Sequence, residues 1–229
     1  MARDPLWEDM FTQHAWGRYP AEDLVRFAAQ RLGARQPRSD TRVLEVGFGT
    51  GANLWFLARE GYAVSGLEGS EAGLRRAQTR LDEEVPEWRT AAGEGSLRAG
   101  DMCEPLPWAD ARFDAVLDCD AVTCVDHASA CRVYADMHRV CKPGGWLYVR
   151  TPAAGCWGEG TGEPAGHHAW RCAEGPFAGT GAVRFATEAD LDELFAPWER
   201  VSVEQVSRTL QNRQKLHVEW VVIARKAAA

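Results

Sequence analysis

The sequence contains very little lysine and no long hydrophobic run. Of its 26 basic residues only three are lysines, at positions 142, 215 and 226, and acidic residues outnumber basic ones by seven. A negatively charged surface repels nucleic-acid phosphates. No stretch approaches the roughly 20 consecutive apolar residues of a membrane-spanning helix, and the amino-terminal segment lacks the apolar core of a secretory signal. The composition therefore argues against a nucleic-acid partner and a membrane protein, and we expect a cytoplasmic location.

Cysteine is present but unpatterned. The seven cysteines are scattered from Cys103 to Cys172, with no CxxC pair and no histidine at zinc-finger spacing. Such a distribution predicts buried reduced thiols and gives no indication of a metal site. The 229 residues are enough for one well-buried domain and few for two enzymatic ones.

The order of predicted elements indicates the fold. From residue 41 to 150, short apolar segments such as RVLEV and YAVSGLE alternate with helical segments such as NLWFLARE. This alternation is typical of a parallel sheet with helices on both faces. Near the end, the predicted strands ERVSVEQVSRTL and LHVEWVVIARK are joined by the short turn QNRQ, so they must run antiparallel. We therefore expect an α/β, Rossmann-like, doubly wound and mostly parallel seven-stranded sheet with an antiparallel C-terminal hairpin.

A glycine-rich turn follows the first predicted strand. Gly47, Gly49 and Gly51 allow a ligand to approach the backbone closely, and the next helix aims its first amides at that ligand. Glu68 ends the second strand 17 residues after Gly51, near the distance at which an acid accepts ribose hydroxyls in doubly wound folds. Because the turn also satisfies the relaxed dinucleotide pattern, an NAD-binding protein stays an alternative.

Two further acids favour a different nucleoside ligand. Glu45 lies two residues before the turn, where an acid can hold the turn or an ammonium group. Asp101 follows the third strand, at the edge of the sheet where ligands bind in such folds. We also expect a single domain, which leaves no second domain for a hydride acceptor.

With these pieces the sequence resembles the class I S-adenosylmethionine-dependent methyltransferases. The matching segments, in the family's order, are EVGFGTG, GLEGS, AGDM, PLPWADARFDAVLD and CKPGGWLYV. The resemblance implies S-adenosyl-L-methionine as cofactor and methyl transfer to an oxygen or nitrogen atom of a small molecule. A weaker similarity to bacterial methyltransferases associated with glycan or natural-product assembly suggests a sugar precursor or natural-product intermediate as acceptor. A protein or RNA methyltransferase stays an alternative.

The resemblance also implies roles for single residues. Glu68 is expected to bind both ribose hydroxyls, Asp101 to accept from the adenine amino group, and Met102 to pack on the adenine ring. The residues after the fourth strand are expected beside the methionine portion. The predicted cofactor-binding residues of the core are Glu45, Gly47, Gly49, Gly51, Glu68, Gly69, Asp101, Met102, Asp118 and Cys119.

The segment before the first strand is predicted to cover the cofactor, as N-terminal helices do in related small-molecule methyltransferases. We hypothesise that Arg18 pairs with the methionyl carboxylate, because a guanidinium matches a carboxylate. Trp16 or Tyr19 is expected to shield the sulfonium, since aromatic faces attract cations. An equally weighted alternative is that these residues only pack the segment onto the sheet.

Residues 152–184 show no periodicity and are rich in glycine, proline and tryptophan. Because they follow the fifth strand, we expect them to form the acceptor side of the site. His168 in this segment and His127 after the fourth strand are the candidate bases, since histidine titrates near working pH. The predicted single domain, 1–229, divides into an N-terminal helical lid (1–40), a cofactor-binding core (41–150), a substrate-side loop (151–185) and a C-terminal helix with hairpin (186–229).

Overall fold

The computed structural model describes residues 5–14, 16–34, 36–90 and 96–228. Residues 1–4, 15 and 35 of the predicted lid lie outside the described residues, as do 91–95 and 229. The α-helices of the described ranges are α1 (Pro5–Gln13), α2 (Glu22–Phe27, continued by a π-helical turn at Ala28–Leu32), α3 (Ala52–Arg59), α4 (Glu71–Glu84), α5 (His127–Val140) and α6 (Glu188–Leu194).

Eleven strands are described, and seven of them form the central sheet. They are β1 (Arg42–Val46), β2 (Ala63–Glu68), β3 (Ser96–Ala99), β4 (Phe113–Cys119), β5 (Cys141–Pro152), β6 (Trp157–Gly160), β7 (Glu163–Gly166), β8 (Ala169–Arg171), β9 (Ala182–Arg184), β10 (Glu199–Leu210) and β11 (Lys215–Arg225). The sheet order is β10-β11-β5-β4-β1-β2-β3. Only β11 runs antiparallel to its neighbours, β5 and β10, so the predicted fold class is confirmed.

The register brings several strand ends to one edge. Val46, the last residue of β1, pairs with Leu67 of β2 on one side and with Asp118 of β4 on the other. The chain therefore leaves three neighbouring parallel strands at one point, where the strand order also reverses direction. Ligands of open α/β sheets bind at such a switch point.

Two apolar layers enclose the sheet. In β1, Leu44 packs with Tyr134 of α5 on one face, while Val43 packs with Leu54 of α3 on the other. All four side chains are fully buried. Because successive strand residues point to opposite faces, a strand covered on both sides needs an almost continuous apolar run, and RVLEV and AVSGLE meet that requirement.

The segment predicted as a substrate-side loop, 151–185, is partly a folded unit. Strands β7, β8 and β9 form a second, antiparallel sheet, and Val183 and Phe185 belong to a small apolar cluster with Cys156 and Val218. Strands of three or four residues are too short to display an alternating pattern, so the sequence predicted only a loop. The other limits of the single-domain division stay a prediction.

Within the described ranges, none of the helices is both long enough and apolar enough to cross a lipid bilayer.

Candidate functional site

A cavity of about 730 Å³ opens at the carboxyl edge of β1, β2 and β4. The glycine turn and the ends of β2 and β4 form one side of it, and residues of the amino-terminal segment, including Trp7 and Phe11, form another. A third wall comes from β5, β11 and the loop before β9. This volume lies within the range of small-molecule and cofactor sites.

The glycine turn has the backbone conformation that its sequence predicts. Gly47 and Gly51 have φ values of +70° and +80°, and an added Cβ would lie 2.2 Å from the Cβ of Ala121 and 2.7 Å from the Cβ of Ala77, respectively. Both positions therefore require glycine. Gly47 and Gly49 line the cavity. Gly51, predicted to bind the cofactor, lies outside the cavity lining; it is the N-cap residue of α3 and packs against Ala77 of α4.

Glu68 lies at the end of β2 with its carboxylate across the glycine turn. Its Oε2 accepts a 2.6 Å hydrogen bond from Gly49 N, and its Oε1 accepts a 2.9 Å bond from Ser70 N. Burial raises the pKa of Glu68, and these backbone N–H groups oppose the rise. Each carboxylate oxygen has more than one lone pair, so both oxygens keep capacity to accept hydroxyl donors from the cavity.

Glu45 lines the same cavity one residue before the end of β1. Its Oε1 accepts a 2.6 Å hydrogen bond from Asn53 Nδ2, whereas the buried Oε2 has no hydrogen-bond partner. Burial raises the pKa of Glu45 to about 8. An unpartnered buried carboxyl oxygen beside a cavity is the feature that an incoming ammonium group would satisfy.

Asp101, Met102 and Gly69, which the sequence predicts to bind the cofactor, line the part of the cavity near β2 and β3. Asp101 Oδ1 accepts a 2.9 Å hydrogen bond from Cys103 N, which holds the turn after β3. Met102 packs beside Gly47 and against the apolar layer on the α5 face of the sheet. Asp101 offers a hydrogen-bond acceptor, Met102 an apolar face and Gly69 a backbone without a side chain. Together they suit one edge and one face of a planar base.

The amino-terminal segment covers the cavity, and α1 is fixed to the start of α4. Glu8 Oε2 accepts hydrogen bonds from Ser70 Oγ at 2.6 Å and from Ala72 N at 3.0 Å. Phe11 and Trp16 meet edge to face with ring centroids 5.4 Å apart. Trp16 lines the cavity, as does Tyr19, which is 72% exposed.

Arg18 does not occupy the position that the sequence predicted. Its guanidinium lies outside the cavity lining, is largely exposed, and pairs with Glu84 of α4 at 2.8 Å. The chain at Arg18 runs across α4, where Arg80 also donates to the Arg18 carbonyl oxygen. The side chain therefore fastens this segment to α4 and does not line the cavity.

Asp118 also differs from its predicted place, whereas Cys119 lines the cavity. Asp118 is fully buried on the α5 side of the sheet, where its Oδ2 accepts a 2.6 Å hydrogen bond from Tyr134 Oη. Its Oδ1 accepts from the backbone N–H groups of Ala121 and Val122. Neighbouring strand residues face opposite sides, so Asp118 holds the turn after β4 while Cys119 faces the cavity.

The end of the cavity farther along the sheet contains a group of charged residues that the sequence analysis did not select. Asp120 follows β4, Arg150 lies in β5, and His217 and Glu219 lie in β11; all four line the cavity. Arg150 pairs with Glu219 and lies 3.2 Å from Asp23 of α2. His217 Nε2 is 3.0 Å from Glu219 Oε2, and its Nδ1 is 3.6 Å from Cys156 Sγ.

The charges of this group are unequally compensated. Hydrogen bonds with Cys156 and Glu219 raise the pKa of His217 to about 9. Although burial opposes it, contacts with His217 and Arg150 lower the pKa of Glu219 to about 2. Burial and the nearby Glu219 charge raise the pKa of Asp120, whose buried Oδ1 lacks a hydrogen-bond partner. Glu219 is thus a fixed anion between two cations, whereas Asp120 is a weak acid at a cavity wall.

The signal for these residues was present in the sequence. His217 and Glu219 are spaced by two within LHVEWVVIARK, so both point to the same face of a strand that is otherwise apolar. Charged residues are rarely buried in a strand unless they are paired with other polar groups. Their meeting with Asp120 and Arg150, however, depends on the strand order.

The two histidines proposed as bases lie elsewhere. His127 and His168 are outside the cavity lining. His127 Nε2 is 2.9 Å from Glu193 Oε2, and His168 Nδ1 is 2.8 Å from Asp190 Oδ2. Both rings are paired with carboxylates of α6, so neither is placed to accept a proton in the cavity.

Comparison with known proteins agrees with this architecture. Residues 43–145 match the family model of the methyltransferase domain. A demethylmenaquinone methyltransferase from Tropheryma whipplei is 35% identical over 126 residues, which are 54% of this chain and 46% of that protein. The chain thus spans about half the length of the curated relative that it matches.

Solved structures extend the likeness to nearly the whole chain. A SAM-dependent methyltransferase from Methanosarcina mazei aligns with a TM-score of 0.70 at 20% identity, over 92% of this chain and 100% of that one. The 1,6-didemethyltoxoflavin-N1-methyltransferase of Burkholderia thailandensis was solved with S-adenosylhomocysteine. It aligns with a TM-score of 0.64 at 20% identity, over 90% of this chain and 77% of that one. The chain is thus similar to a methyltransferase domain over residues 43–145, and it shares its seven-stranded fold with these solved S-adenosylmethionine-dependent methyltransferases.

Proposed function

We propose that this protein transfers a methyl group from S-adenosylmethionine to an oxygen or nitrogen atom of a small molecule. The observation that carries the proposal is one cavity with two differently equipped ends. Around the glycine turn, Glu45 and Glu68 are buried with acceptor capacity left for a ligand. At the other end, Asp120 and the His217–Glu219 pair face the same space.

The cofactor end fits the groups that S-adenosylmethionine carries. We assign the ribose hydroxyls to Glu68 and the ammonium group to the unpartnered oxygen of Glu45. Asp101 would accept from the adenine amino group, with Met102 against the ring and Gly69 beside it. Trp16 and Tyr19 would cover the sulfonium, because aromatic faces favour cations. When bound, the cofactor supplies an electrophilic methyl group.

The acceptor end supplies a base. Asp120 lines the cavity with an oxygen that has no hydrogen-bond partner, so we propose that it accepts a proton from a hydroxyl or ammonium group of the acceptor, whose oxygen or nitrogen atom then attacks the methyl group. Burial raises the pKa of Asp120, which makes its carboxylate a stronger proton acceptor. Arg150 and His217 keep Glu219 ionised and in place. Orientation of the two reactants in a covered cavity supplies much of the remaining rate enhancement.

The residues that line the acceptor end of the cavity indicate which class of methyl acceptor fits. Phe177 and the lid aromatic residues offer flat apolar surfaces beside the charged group, which suits a ring with a polar substituent. The curated relative is named for demethylmenaquinone and the B. thailandensis enzyme for 1,6-didemethyltoxoflavin. A sugar precursor or a natural-product intermediate meets the same description. A protein or RNA acceptor is less suited, because the lid and the loop before β9 wall the cavity on two sides.

Calorimetry with S-adenosylhomocysteine and with NAD tests the cofactor assignment. We expect tight binding of the former only, and at least about a tenfold loss of affinity in Glu68→Gln, since a hydrogen bond to a charged group contributes about 1.5–3 kcal/mol. Glu83→Gln on the exposed side of α4 is the matched control. Binding of NAD alone would overturn the assignment. Transfer of a labelled methyl group to a panel of hydroxylated and amino acceptors then tests the reaction.

A further inference from the structure

A cluster of histidines and carboxylates lies outside the cavity, where three separate segments meet. His127 begins α5, His167 and His168 form the turn between β7 and β8, and Asp190 and Glu193 lie on α6. The rings of His127 and His167 are 4.5 Å apart between centroids, and those of His167 and His168 are 4.2 Å apart. Neither the cofactor assignment nor the proposed reaction uses any of these side chains.

The geometry of the cluster is that of a set of metal ligands. One donor atom from each of His127, His167 and Asp190 lies within 4.8 Å of the other two. Donor atoms of a tetrahedral zinc site are about 3.3 Å apart, given metal–ligand distances of about 2.0–2.1 Å. The three donors therefore need to approach one another by at most about 1.5 Å to enclose an ion.

The carboxylate at the centre is already held in place. Asp190 Oδ2 accepts hydrogen bonds from Thr187 N at 2.8 Å and from Thr187 Oγ1 at 2.9 Å, in the capping box of α6. Its side chain is 95% buried, and its Oδ1 is 2.6 Å from His167 Nε2. A ligand fixed by surrounding hydrogen bonds loses little freedom on binding an ion.

His127 carries a second indication. Its Nε2 is paired with Glu193, while its buried Nδ1 has no hydrogen-bond partner. A neutral imidazole has one N–H to donate and one lone pair to offer. Histidine ligands of metals characteristically donate their other N–H to a carboxylate, and His127 already has that carboxylate in Glu193.

We propose that His127, His167 and Asp190 bind a divalent transition-metal ion such as zinc. Imidazole ligands favour zinc, cobalt and nickel over magnesium and calcium. With neutral histidines, Asp190 and Glu193 give the cluster a charge of about −2, which matches such an ion. His167 and His168 are about half exposed, so the ion can enter from solvent. Solvent completes the coordination.

The role of this ion is structural: it ties the small sheet to the core. Near the cluster the sheet is joined to the turn after β4 by two hydrogen bonds, Thr123 Oγ1 to the Arg184 carbonyl oxygen and Arg184 Nη1 to the Val125 carbonyl oxygen. Ala182 of β9 lines the cavity. A bound ion would fix the β7–β8 turn to α5 and α6 and thereby steady that wall.

Cobalt(II) titration of chelator-treated protein is the experiment. We expect the visible absorption of a tetrahedral cobalt site with nitrogen and oxygen ligands, one ion per chain, and a higher melting temperature with zinc. His127→Ala and His167→Ala should each weaken binding at least about tenfold. His14→Ala, an exposed histidine of the lid segment, is the matched control and should bind cobalt as the wild type does.

Binding of S-adenosylhomocysteine by each variant reports whether it is folded, and it is independent of the cluster. Equal cobalt affinity in the wild type and in the folded His127→Ala and His167→Ala variants would overturn the proposal. A sulfur-to-cobalt charge-transfer band would also overturn it, because it would place the ion on cysteine.

Discussion

Replacing Glu45 by glutamine tests the assigned contact between this carboxyl group and the ammonium group of the cofactor. Without ligand, the carboxyl has a pKa of about 8, so it is about 90% protonated at pH 7. A neighbouring ammonium group favours the carboxylate and lowers that pKa. Binding of S-adenosylhomocysteine, which carries the same ammonium group, is therefore expected to release about 0.9 proton at pH 7 and about 0.1 proton at pH 9.

The same pKa has a consequence for stability. The folded-state value is raised from 4.5, so the folded protein holds this proton more tightly than the unfolded chain does. Stability from this group is complete below pH 4.5 and falls as the pH rises toward 8. At about 1.4 kcal/mol per unit, the loss at pH 7 is about 3 kcal/mol. Glu45→Gln removes that loss, so the ligand-free variant should be more stable at pH 7 by up to this amount.

Calorimetry in two buffers of different ionisation enthalpy measures the released proton directly. Urea unfolding at pH 4.5 and pH 7 measures the stability difference, which should appear only at the higher pH. Glu45→Gln should bind S-adenosylhomocysteine more weakly and release no proton, while Glu83→Gln should behave as the wild type. Proton release that persists in Glu45→Gln, or is absent from the wild type at pH 7, would refute the contact.

Three further substitutions test other parts of the site. Gly47→Ala should lower the free energy of unfolding, measured in urea, by at least about 2 kcal/mol, because the added Cβ meets Ala121. The control is Gly160→Ala, where φ is +74° and the space is open, and it should lose only about 1 kcal/mol. Equal losses in the two variants would contradict a steric clash at Gly47. Glu8→Ala should speed dissociation of S-adenosylhomocysteine about tenfold in stopped flow, because it frees the lid from α4, whereas the exposed Asp9→Ala should not. Asp120→Asn should lower kcat at least about 100-fold with an alcohol acceptor. Cofactor affinity should stay unchanged, because asparagine tolerates the φ of +58° at this position. Asp192→Asn is the control, and an unaltered kcat in Asp120→Asn would show that Asp120 is not the base.

The sheet was predictable from the sequence because its signals are local. RVLEV and AVSGLE are buried on both faces, so each had to be a nearly continuous apolar run, and the turn QNRQ was too short for anything except an antiparallel hairpin. The edge of the sheet that carries the cavity was predictable for the same reason, since Gly47 and Asp101 follow strands and Glu68 ends one.

What escaped prediction depends on contacts between distant segments. Arg18 was expected to meet a carboxylate of the cofactor because a guanidinium matches a carboxylate, but the path of the chain across α4 gives it Glu84 as partner. Asp120 and Glu219 are brought together only by the position of β11 beside β5. His127 and His167 are separated by forty residues, so no zinc-like spacing marks their meeting.

The residues assigned to the cofactor and those assigned to the acceptor lie mostly in different parts of the chain. The segment that matches the family model ends at residue 145, and it contains every cofactor contact assigned to the core. Apart from Asp120 and the lid aromatic residues, the proposed acceptor wall comes from later residues: Arg150, Phe177, His217 and Glu219. The proposed donor and acceptor ends thus come largely from different parts of the chain, and a chimera with a relative's carboxyl-terminal third should change its acceptor without changing its donor.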